Sequence, residues 1–482
     1  MQEVRELIEV AKVAQEELTA KTQKEVDYIV KAIAEAGVRN ARRLAVMANE
    51  ETGFGVVEDK VIKNIFASRG VYDRIKDMKT IGEIARDEET KVRSIAVPVG
   101  IIAGLIPSTN PTSTALYKAE IAIKSGNAIV FSPHPSAQKC IQQTVKVIKA
   151  AIVEAGGNEN LVGCITIPTM QATDTLMRHP DTSMILATGG SAMVRAAYSS
   201  GTPAIGVGPG NSPAYIEKTA NLKLAVKRIL DSKTFDNGTI CASEQSVVCD
   251  DNMKAAVVAE MKSQGAYFLN EEESQKLGNF ILRGDGTMNP QIVGKSVQTI
   301  AKLAGLSVPI EARVLVAEEN GIGRGHPYSN EKLGPILAFY TAENYEKAAE
   351  LCQSILYYEG AGHTFSIHTE DDVIVEYFAK RMPASRIMVN TPSAMGGIGG
   401  TTGLMPSLTL GCGAIGGSAT SENVGPMELF NIKRVAFGTT EMEEIRAGVP
   451  DCSEGICVAA RVEPDKIDFI VREVIKRLQE NA

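Results

Sequence analysis

The middle of the chain alternates short apolar runs with longer helical stretches, and this alternation restricts the fold more than any other feature of the sequence. The helical stretches include residues 113–124 and 137–154. The apolar, β-rich runs are residues 92–97, 101–106, 128–131, 162–167, 183–187, 204–207 and 214–216. Strands that are apolar on both faces are typical of a parallel sheet covered by helices on each side. The sequence therefore predicts an α/β fold with a doubly wound, Rossmann-like sheet.

The length of the chain predicts more than one domain. A chain of 482 residues exceeds what one compact core usually holds, so we expect two or three domains. The alternating pattern predicts a second α/β unit from about Leu222 to Met405, with the turn before Cys241 near its start. Residues 1–36 predict two helices, the second of which begins with a capping box at Thr22. In the glycine-rich stretch 392–417, interleaved leucine and isoleucine favour close backbone packing over a flexible linker.

The composition indicates a globular protein without a nucleic-acid or membrane partner. The formal net charge is −8, and no stretch concentrates lysine and arginine on one face. No apolar run approaches the length of a membrane span, and the acidic residues 1–7 do not resemble a signal peptide. The 8 cysteines are scattered without a repeated spacing. We therefore expect a reduced, cytoplasmic protein with neither a disulfide framework nor a metal site.

Cys241 lies at the end of a polar, glycine-containing turn, in the run Asp236-Asn-Gly-Thr-Ile-Cys. Such a position leaves the sulfur free to attack a carbonyl carbon while the cysteine's own N–H points at the carbonyl oxygen. The alternative is a small buried cysteine between Ile240 and Ala242, which is the commoner role of a cysteine in an intracellular chain. The turn thus makes Cys241 the candidate nucleophile.

Three further motifs accompany Cys241. They are Pro-Ser-Thr-Asn-Pro at residues 107–111, Leu-Ala-Thr-Gly-Gly-Ser-Ala-Met at 186–193, and Glu-Lys-Leu-Gly-Pro at 331–335. Glycines in a strand-to-helix turn allow a helix N-terminus to approach a phosphate group. Each motif alone is weak evidence, because Asn110 before a proline is a common turn residue and Glu331 also suits a solvated helix start. Their common order along the chain gives them weight.

The motifs in this order resemble the aldehyde dehydrogenase superfamily over nearly all of residues 1–438. Within it, the chain is most similar to the CoA-acylating branch, and especially to the aldehyde dehydrogenase half of bifunctional aldehyde–alcohol dehydrogenases. Hydrolytic members carry a glutamate that activates the deacylating water, and Val207 occupies that position here. The resemblance therefore implies that CoA, rather than water, accepts the acyl group.

The resemblance also implies the site residues. Cys241 is the nucleophile, and Thr109 or Asn110 joins its N–H in stabilising the oxyanion, with Thr109 aligned to the family's amide. His363 assists thiol exchange or holds CoA; the alternative is a histidine that is hydrogen-bonded between glycine loops. The residues implied for NAD and CoA binding are Pro107, Ser108, Ser132, His134, Gly189, Gly190, Ser191, Pro209, Glu331 and Leu333.

The implied activity is oxidation of a short aliphatic aldehyde, such as propionaldehyde or acetaldehyde, by NAD and CoA through a cysteine thioester. The alternatives are a hydrolytic NAD-dependent aldehyde dehydrogenase that releases a carboxylic acid, and a shell-associated scaffold protein. The family's fold also implies an NAD/CoA-binding domain over 1–220, a catalytic domain over 221–415, and a small β oligomerisation element formed by 90–98 and 416–438. We therefore expect a homo-oligomer, either a dimer or a tetramer.

The end of the chain has a different character. Residues 439–464 are polar and interrupted by glycine and proline, as expected of a linker, and residues 465–482 have an amphipathic helical pattern. This tail resembles the encapsulation peptides of bacterial microcompartment enzymes, which implies binding to shell proteins; the alternative is a helix that packs within its own oligomer. We expect no alcohol dehydrogenase half, because little sequence follows Gly438.

Overall fold

The computed structural model describes residues 1–284, 286–448, 471–473, 476, 477 and 479. The chain divides into two compact units, of which the first comprises Met1–Gly82 with Ala96–Ile432 and the second Glu83–Ile95 with Lys433–Ala482. The predicted linker 439–464 contains a short helix in its described part, and most of the predicted helix 465–482 lies outside the described residues.

The described residues contain the following regular elements. The α-helices are α1 Gln2–Thr19, α2 Gln23–Thr52, α3 Val57–Ile65, α4 Val71–Ile75, α5 Pro111–Lys124, α6 Gln138–Glu154, α7 Met170–Arg178, α8 Ser191–Tyr198, α9 Leu222–Thr234, α10 Lys254–Ser263, α11 Glu271–Ile281, α12 Val297–Leu303, α13 Tyr345–Tyr358, α14 Asp372–Ala379, α15 Ser393–Gly397 and α16 Met442–Ala447. The strands are β1 Gly82–Asp87, β2 Val92–Pro98, β3 Ile101–Ile106, β4 Ala128–Pro133, β5 Val162–Cys164, β6 Thr182–Thr188, β7 Ala204–Val207, β8 Ser212–Ile216, β9 Glu244–Asp250, β10 Ala266–Phe268, β11 Val314–Glu318, β12 Ile336–Ala342, β13 Gly362–His368, β14 Ala384–Val389 and β15 Phe430–Ala436.

Two parallel sheets form the first unit. Their strand orders are β5-β4-β3-β6-β7 and β10-β11-β12-β9-β8-β13-β14. Every residue of β3 and β4 is buried, and α5 is buried along its whole length, as expected when helices cover both faces of a parallel sheet. The predicted α/β fold with a doubly wound sheet is therefore confirmed.

The chain passes from the first sheet to the second between Val207 and Ser212, because β8 pairs with β9 and β13 rather than with β7. The predicted domain boundary after residue 220 thus lies downstream of the actual change of sheet. β2 and β15, from the two segments predicted to form an oligomerisation element, belong to one three-stranded sheet of order β1-β2-β15.

The N-terminal helices largely follow their prediction. The capping box is present, since Thr22 Oγ1 accepts from the Glu25 N–H and the Glu25 carboxylate accepts from the Thr22 N–H. The second helix extends past residue 36, where the predicted pair of helices ended, and stops at Thr52, after which Gly53 takes a left-handed conformation with φ 66°. No helix among the described residues is long and apolar enough to cross a bilayer.

We expect Thr22→Ala to lower the free energy of unfolding by about 1 kcal/mol, because the N-terminus of α2 loses its capping acceptor. Thr22→Ser keeps the hydroxyl and should unfold like the unmodified chain. Thermal and urea unfolding, followed by circular dichroism, compares the three proteins. Equal stability of the alanine and serine variants would contradict a stabilising role for this cap.

Candidate active site

One cavity of about 400 Å³ lies where the two sheets of the first unit meet. Its walls come from loops that follow the carboxyl ends of β3, β4, β6 and β7 and from loops that precede the amino ends of β8, β9 and β12. Open parallel sheets bind ligands beyond the carboxyl ends of their strands. The cavity is therefore the candidate active site.

The cavity brings together most of the residues that the sequence predicted for the site. The predicted residues that line it are Pro107, Ser108, Thr109, Asn110, His134, Gly189, Gly190, Pro209, Cys241, Glu331 and Leu333. Ser132 does not line it: this serine is buried at the end of β4, and its Oγ lies 2.8 Å from Thr173 Oγ1. Ser191 is the first residue of α8, and His363 lies behind the cavity wall.

The turn before Cys241 has an unusual backbone conformation that its residue types favour. Asp236, Asn237 and Gly238 all have positive φ angles, of 49°, 52° and 74°. Aspartate, asparagine and glycine are the residues that tolerate this region best. The turn redirects the chain after α9, so that Cys241 lies at the cavity just before β9.

The loop between β7 and β8 packs directly on the nucleophile turn. A Cβ atom at Gly210 would lie 1.9 Å from the carbonyl oxygen of Cys241, so no larger residue fits without displacing that backbone. Val207 is 3% exposed and belongs to an apolar cluster with Ile240 and Ala242. Val207, the position that the resemblance assigns to a water-activating glutamate, is thus an apolar part of the cavity wall.

His363 contacts the sulfur of the candidate nucleophile. Its Nε2 lies 3.2 Å from Cys241 Sγ, and its Nδ1 lies 2.9 Å from Thr364 Oγ1. Burial, together with the nearby Arg386 guanidinium, lowers the pKa of His363 to about 3, so the imidazole is neutral. If Nδ1 carries the proton and donates to Thr364, Nε2 is free to accept the thiol proton.

Cys241 is a neutral thiol in the resting site. Burial raises its pKa to about 12, and the negative charge of Glu331 acts in the same direction. A protonated thiol beside a neutral imidazole differs from a preformed thiolate–imidazolium pair. Nucleophilic attack therefore requires transfer of the thiol proton when the substrate is bound, and the Nε2 atom of His363 is in place to receive it.

Glu331 carries the one carboxylate among the described residues that line the cavity. Its Oε1 accepts a hydrogen bond of 2.9 Å from the Gly210 N–H. This bond connects the segment before β12 to the loop between β7 and β8, which packs on the turn of Cys241. Burial raises the pKa of Glu331 to about 8, and repulsion by Glu359 adds to this shift. Glu359 in turn accepts from the Glu331 N–H at 2.6 Å.

The sequence did not predict a buried ionic cluster beneath the cavity. Lys60 and Lys63 of α3 both bond to Asp236 Oδ2, at 3.0 and 2.5 Å. The lysines are 3% and 2% exposed, and Asp236 is fully buried. Two lysines three residues apart on a short helix give the pattern of a solvated face, and Asp236 gives that of a turn. Neither the spacing of the lysines nor the turn residue therefore predicts that these three side chains form a buried cluster.

The sequence also missed the apolar wall of the cavity, which comes from segments far apart in the chain. Its members include Phe54, Val293, Ile398, Leu408 and Leu410. Among the described residues, no group of three or more His, Cys, Asp or Glu side chains is arranged to hold a metal ion.

Alkylation of Cys241 by iodoacetamide tests the state of the thiol. With a pKa of about 12, the thiolate fraction should rise about tenfold for each pH unit between pH 7 and 9. Glu331→Gln removes the neighbouring carboxylate and should speed alkylation at pH 9. Mass spectrometry of the peptide containing Cys241 measures both rates. A rate that levels off below pH 8 would mean that the thiol is already ionised at neutral pH.

Comparison with known proteins agrees with this arrangement. Residues 1–325 match the aldehyde dehydrogenase family. Over 439 residues the chain is 46% identical to the bifunctional aldehyde-alcohol dehydrogenase AdhE of Escherichia coli K12, a match that covers 90% of this chain and 49% of that protein. The chain thus spans about half the length of the bifunctional relatives that it matches.

Several solved structures are similar over nearly their whole length. A probable aldehyde dehydrogenase from Listeria monocytogenes shares 63% identity with a TM-score of 0.92, covering 92% of this chain and 98% of that one. An acetylating aldehyde dehydrogenase from Geobacillus thermoglucosidasius shares 56% with a TM-score of 0.90, covering 92% and 97%. A propionaldehyde dehydrogenase from a Clostridium phytofermentans microcompartment shares 28% with a TM-score of 0.82, covering 90% and 97%. The chain belongs to the aldehyde dehydrogenase family.

Proposed function

We propose that the protein is a CoA-acylating aldehyde dehydrogenase that converts a short aliphatic aldehyde, NAD and CoA to acyl-CoA and NADH. The observation that carries the proposal is the cavity wall beside Cys241, where apolar Val207 stands in place of a water-activating glutamate. The similarity to an acetylating enzyme at 56% identity supports it. Propionaldehyde and acetaldehyde are the substrates that we favour.

The first half of the proposed reaction uses the Cys241–His363 pair. Cys241 Sγ attacks the aldehyde carbon while its proton passes to His363 Nε2, 3.2 Å away. The Cys241 N–H and a polar group of the Thr109–Asn110 loop stabilise the oxyanion. Bound NAD supplies the acceptor for the hydride that leaves the hemithioacetal carbon. An acyl thioester on Cys241 results.

The second half of the reaction transfers the acyl group. The proton that His363 accepted passes to solvent, so its Nε2 is again free to take the proton of the CoA thiol. The CoA sulfur attacks the thioester carbonyl, the C–S bond to Cys241 breaks, and the Cys241 thiolate regains a proton from His363. Because the wall at Val207 is apolar, water competes poorly with this thiol.

The cavity suits a dinucleotide on chemical grounds. A Cβ atom added at Gly190 or Gly208 would meet no atom within 4 Å, so open space adjoins their backbone. Gly190 is the N-cap residue of α8, and backbone N–H groups at a helix N-terminus favour a pyrophosphate. Glu331 presents the carboxylate that ribose hydroxyls require, and His134 lines the cavity where the adenine end of NAD or CoA would lie.

The variants Val207→Glu and Val207→Gln test the meaning of the apolar wall. We expect the glutamate to raise CoA-independent oxidation of propionaldehyde at least tenfold over the glutamine variant, because only the carboxylate can activate water. NADH formation with and without CoA, and propionate by chromatography, are the measurements. Glu331→Gln controls for the carboxylate already present. Equal CoA-independent rates in the two Val207 variants would contradict the proposed role of this position.

We further propose that the enzyme is a cytoplasmic homo-oligomer within a bacterial microcompartment. Six of the seven residues of β15 are exposed in the single chain, which supports assembly through that sheet. The microcompartment relative, together with the amphipathic pattern of residues 465–482, supports binding to shell proteins.

Deletion of residues 450–482 should abolish co-sedimentation with purified shell proteins and leave acyl-CoA formation unchanged, because every residue of the described site lies before residue 412. Sedimentation with shell protein, followed by an activity assay of both fractions, checks this. Unchanged co-sedimentation of the truncated chain would show that the tail is not the shell-binding segment.

A further inference from the structure

The buried cluster beneath the cavity is connected to its polar wall through Lys63. The three hydrogen-bond donors of the Lys63 ammonium group meet three acceptors: Asp236 Oδ2 at 2.5 Å, Asn110 Oδ1 at 2.6 Å and Thr239 Oγ1 at 2.9 Å. Only the protonated amine supplies three N–H groups. Lys63 is therefore a buried cation, neutralised by Asp236 and bonded to the side-chain amide of Asn110.

The ammonium group fixes the orientation of the Asn110 amide. Because an ammonium group cannot accept a hydrogen bond, the atom of Asn110 that faces it must be the carbonyl oxygen. The amide nitrogen then points away from Lys63, and its two N–H groups have two acceptors. These are the Thr239 carbonyl oxygen at 3.0 Å and Thr109 Oγ1 at 3.3 Å.

This arrangement leaves Thr109, rather than Asn110, with a free donor. Both N–H groups of Asn110 are engaged by the protein, whereas the Thr109 hydroxyl receives one of them as an acceptor. No acceptor for the Thr109 hydroxyl hydrogen lies among the described residues, and Thr109 lines the same cavity as Cys241. A hydroxyl whose oxygen already accepts a hydrogen bond is a stronger donor to an anion.

We propose that Thr109 donates the side-chain hydrogen bond to the oxyanion and that Lys63 is a positioning residue, which holds the Asn110 amide so that it polarises the Thr109 hydroxyl. The inference rests on the proposed function, and it assigns the oxyanion donor that the sequence left open between Thr109 and Asn110. The donor is thus connected to the buried charge of Lys63 through one amide.

Lys60 supplies a matched control within the same cluster. Its Nζ bonds to the same Asp236 oxygen, at 3.0 Å, and to the backbone carbonyl of Thr109, at 3.1 Å, but not to Asn110. Lys60→Met and Lys63→Met therefore remove the same charge from the same carboxylate. Only Lys63→Met releases the Asn110 amide.

Acylation of Cys241 by p-nitrophenyl acetate provides the test, because thiol attack on this ester also places an oxyanion on the carbon bonded to Cys241 Sγ and needs neither NAD nor CoA. The burst of p-nitrophenolate is measured in the full chain and in Thr109→Val, Lys63→Met, Lys60→Met and the double variant Lys63→Met/Thr109→Val. We expect a loss of roughly 100-fold for Thr109→Val, as for other oxyanion donors, and of roughly 10-fold or more for Lys63→Met.

The double variant separates positioning from a merely structural role. If Lys63 acts through Thr109, the double variant should acylate no more than about threefold slower than Thr109→Val, since the shared pathway is already broken. Lys60→Met should lower the unfolding temperature as much as Lys63→Met does. Its loss of acylation rate should be several-fold smaller than the loss in Lys63→Met. If Lys63→Met does not fold, Asn110→Leu takes its place, both as the single variant and in the double variant with Thr109→Val.

Two results would overturn the inference. One is a Thr109→Val burst rate within about threefold of the unmodified chain; the other is a loss in the double variant equal to the product of the single losses. Failure of the proposed function would appear separately, as absence of NADH formation from propionaldehyde, NAD and CoA in a chain that still gives the p-nitrophenolate burst.

Discussion

The 3.2 Å contact between Cys241 Sγ and His363 Nε2 is the interaction on which the rest of the site depends. It joins the amino ends of β9 and β13, which are not neighbours in the sheet, and it requires backbones to pass unusually close together. Gly210 fits against the Cys241 carbonyl, and a Cβ atom at Gly362 would lie 1.8 Å from the carbonyl oxygen of Cys412. Glycine at both places lets the imidazole reach the sulfur.

Burial sets the resting charges around this contact. The thiol and the imidazole are both neutral, because each lies where ionisation costs solvation. The cations nearby are bonded to the protein: Lys63 to Asp236, and the Nη2 atom of Arg386 to the carbonyl oxygens of Gly411 and Gly362. When the neutral thiol attacks in the proposed reaction, negative charge develops on the substrate oxygen, and residues 107–110 line the cavity beside Cys241.

The sequence predicted those parts of the structure that are encoded locally. Strand runs, the Thr22 cap, the Cys241 turn and the glycine-rich loops follow from hydrophobic period and residue type. The lysines of α3 could not be predicted as buried, because their spacing is that of a solvated face and burial depends on Asp236, more than 170 residues later. Likewise, Ser132 gave no sign that Thr173 would occupy its hydroxyl.

Mass spectrometry of the acyl-enzyme tests the central claim, that Cys241 carries an acyl group that only a thiol removes efficiently. The protein is incubated with propionaldehyde and NAD without CoA, and the peptide containing Cys241 is weighed before and after CoA is added. The account predicts a propionyl group on Cys241 that persists without CoA and is released as propionyl-CoA when CoA is added. An unmodified Cys241 with steady accumulation of propionate would contradict it.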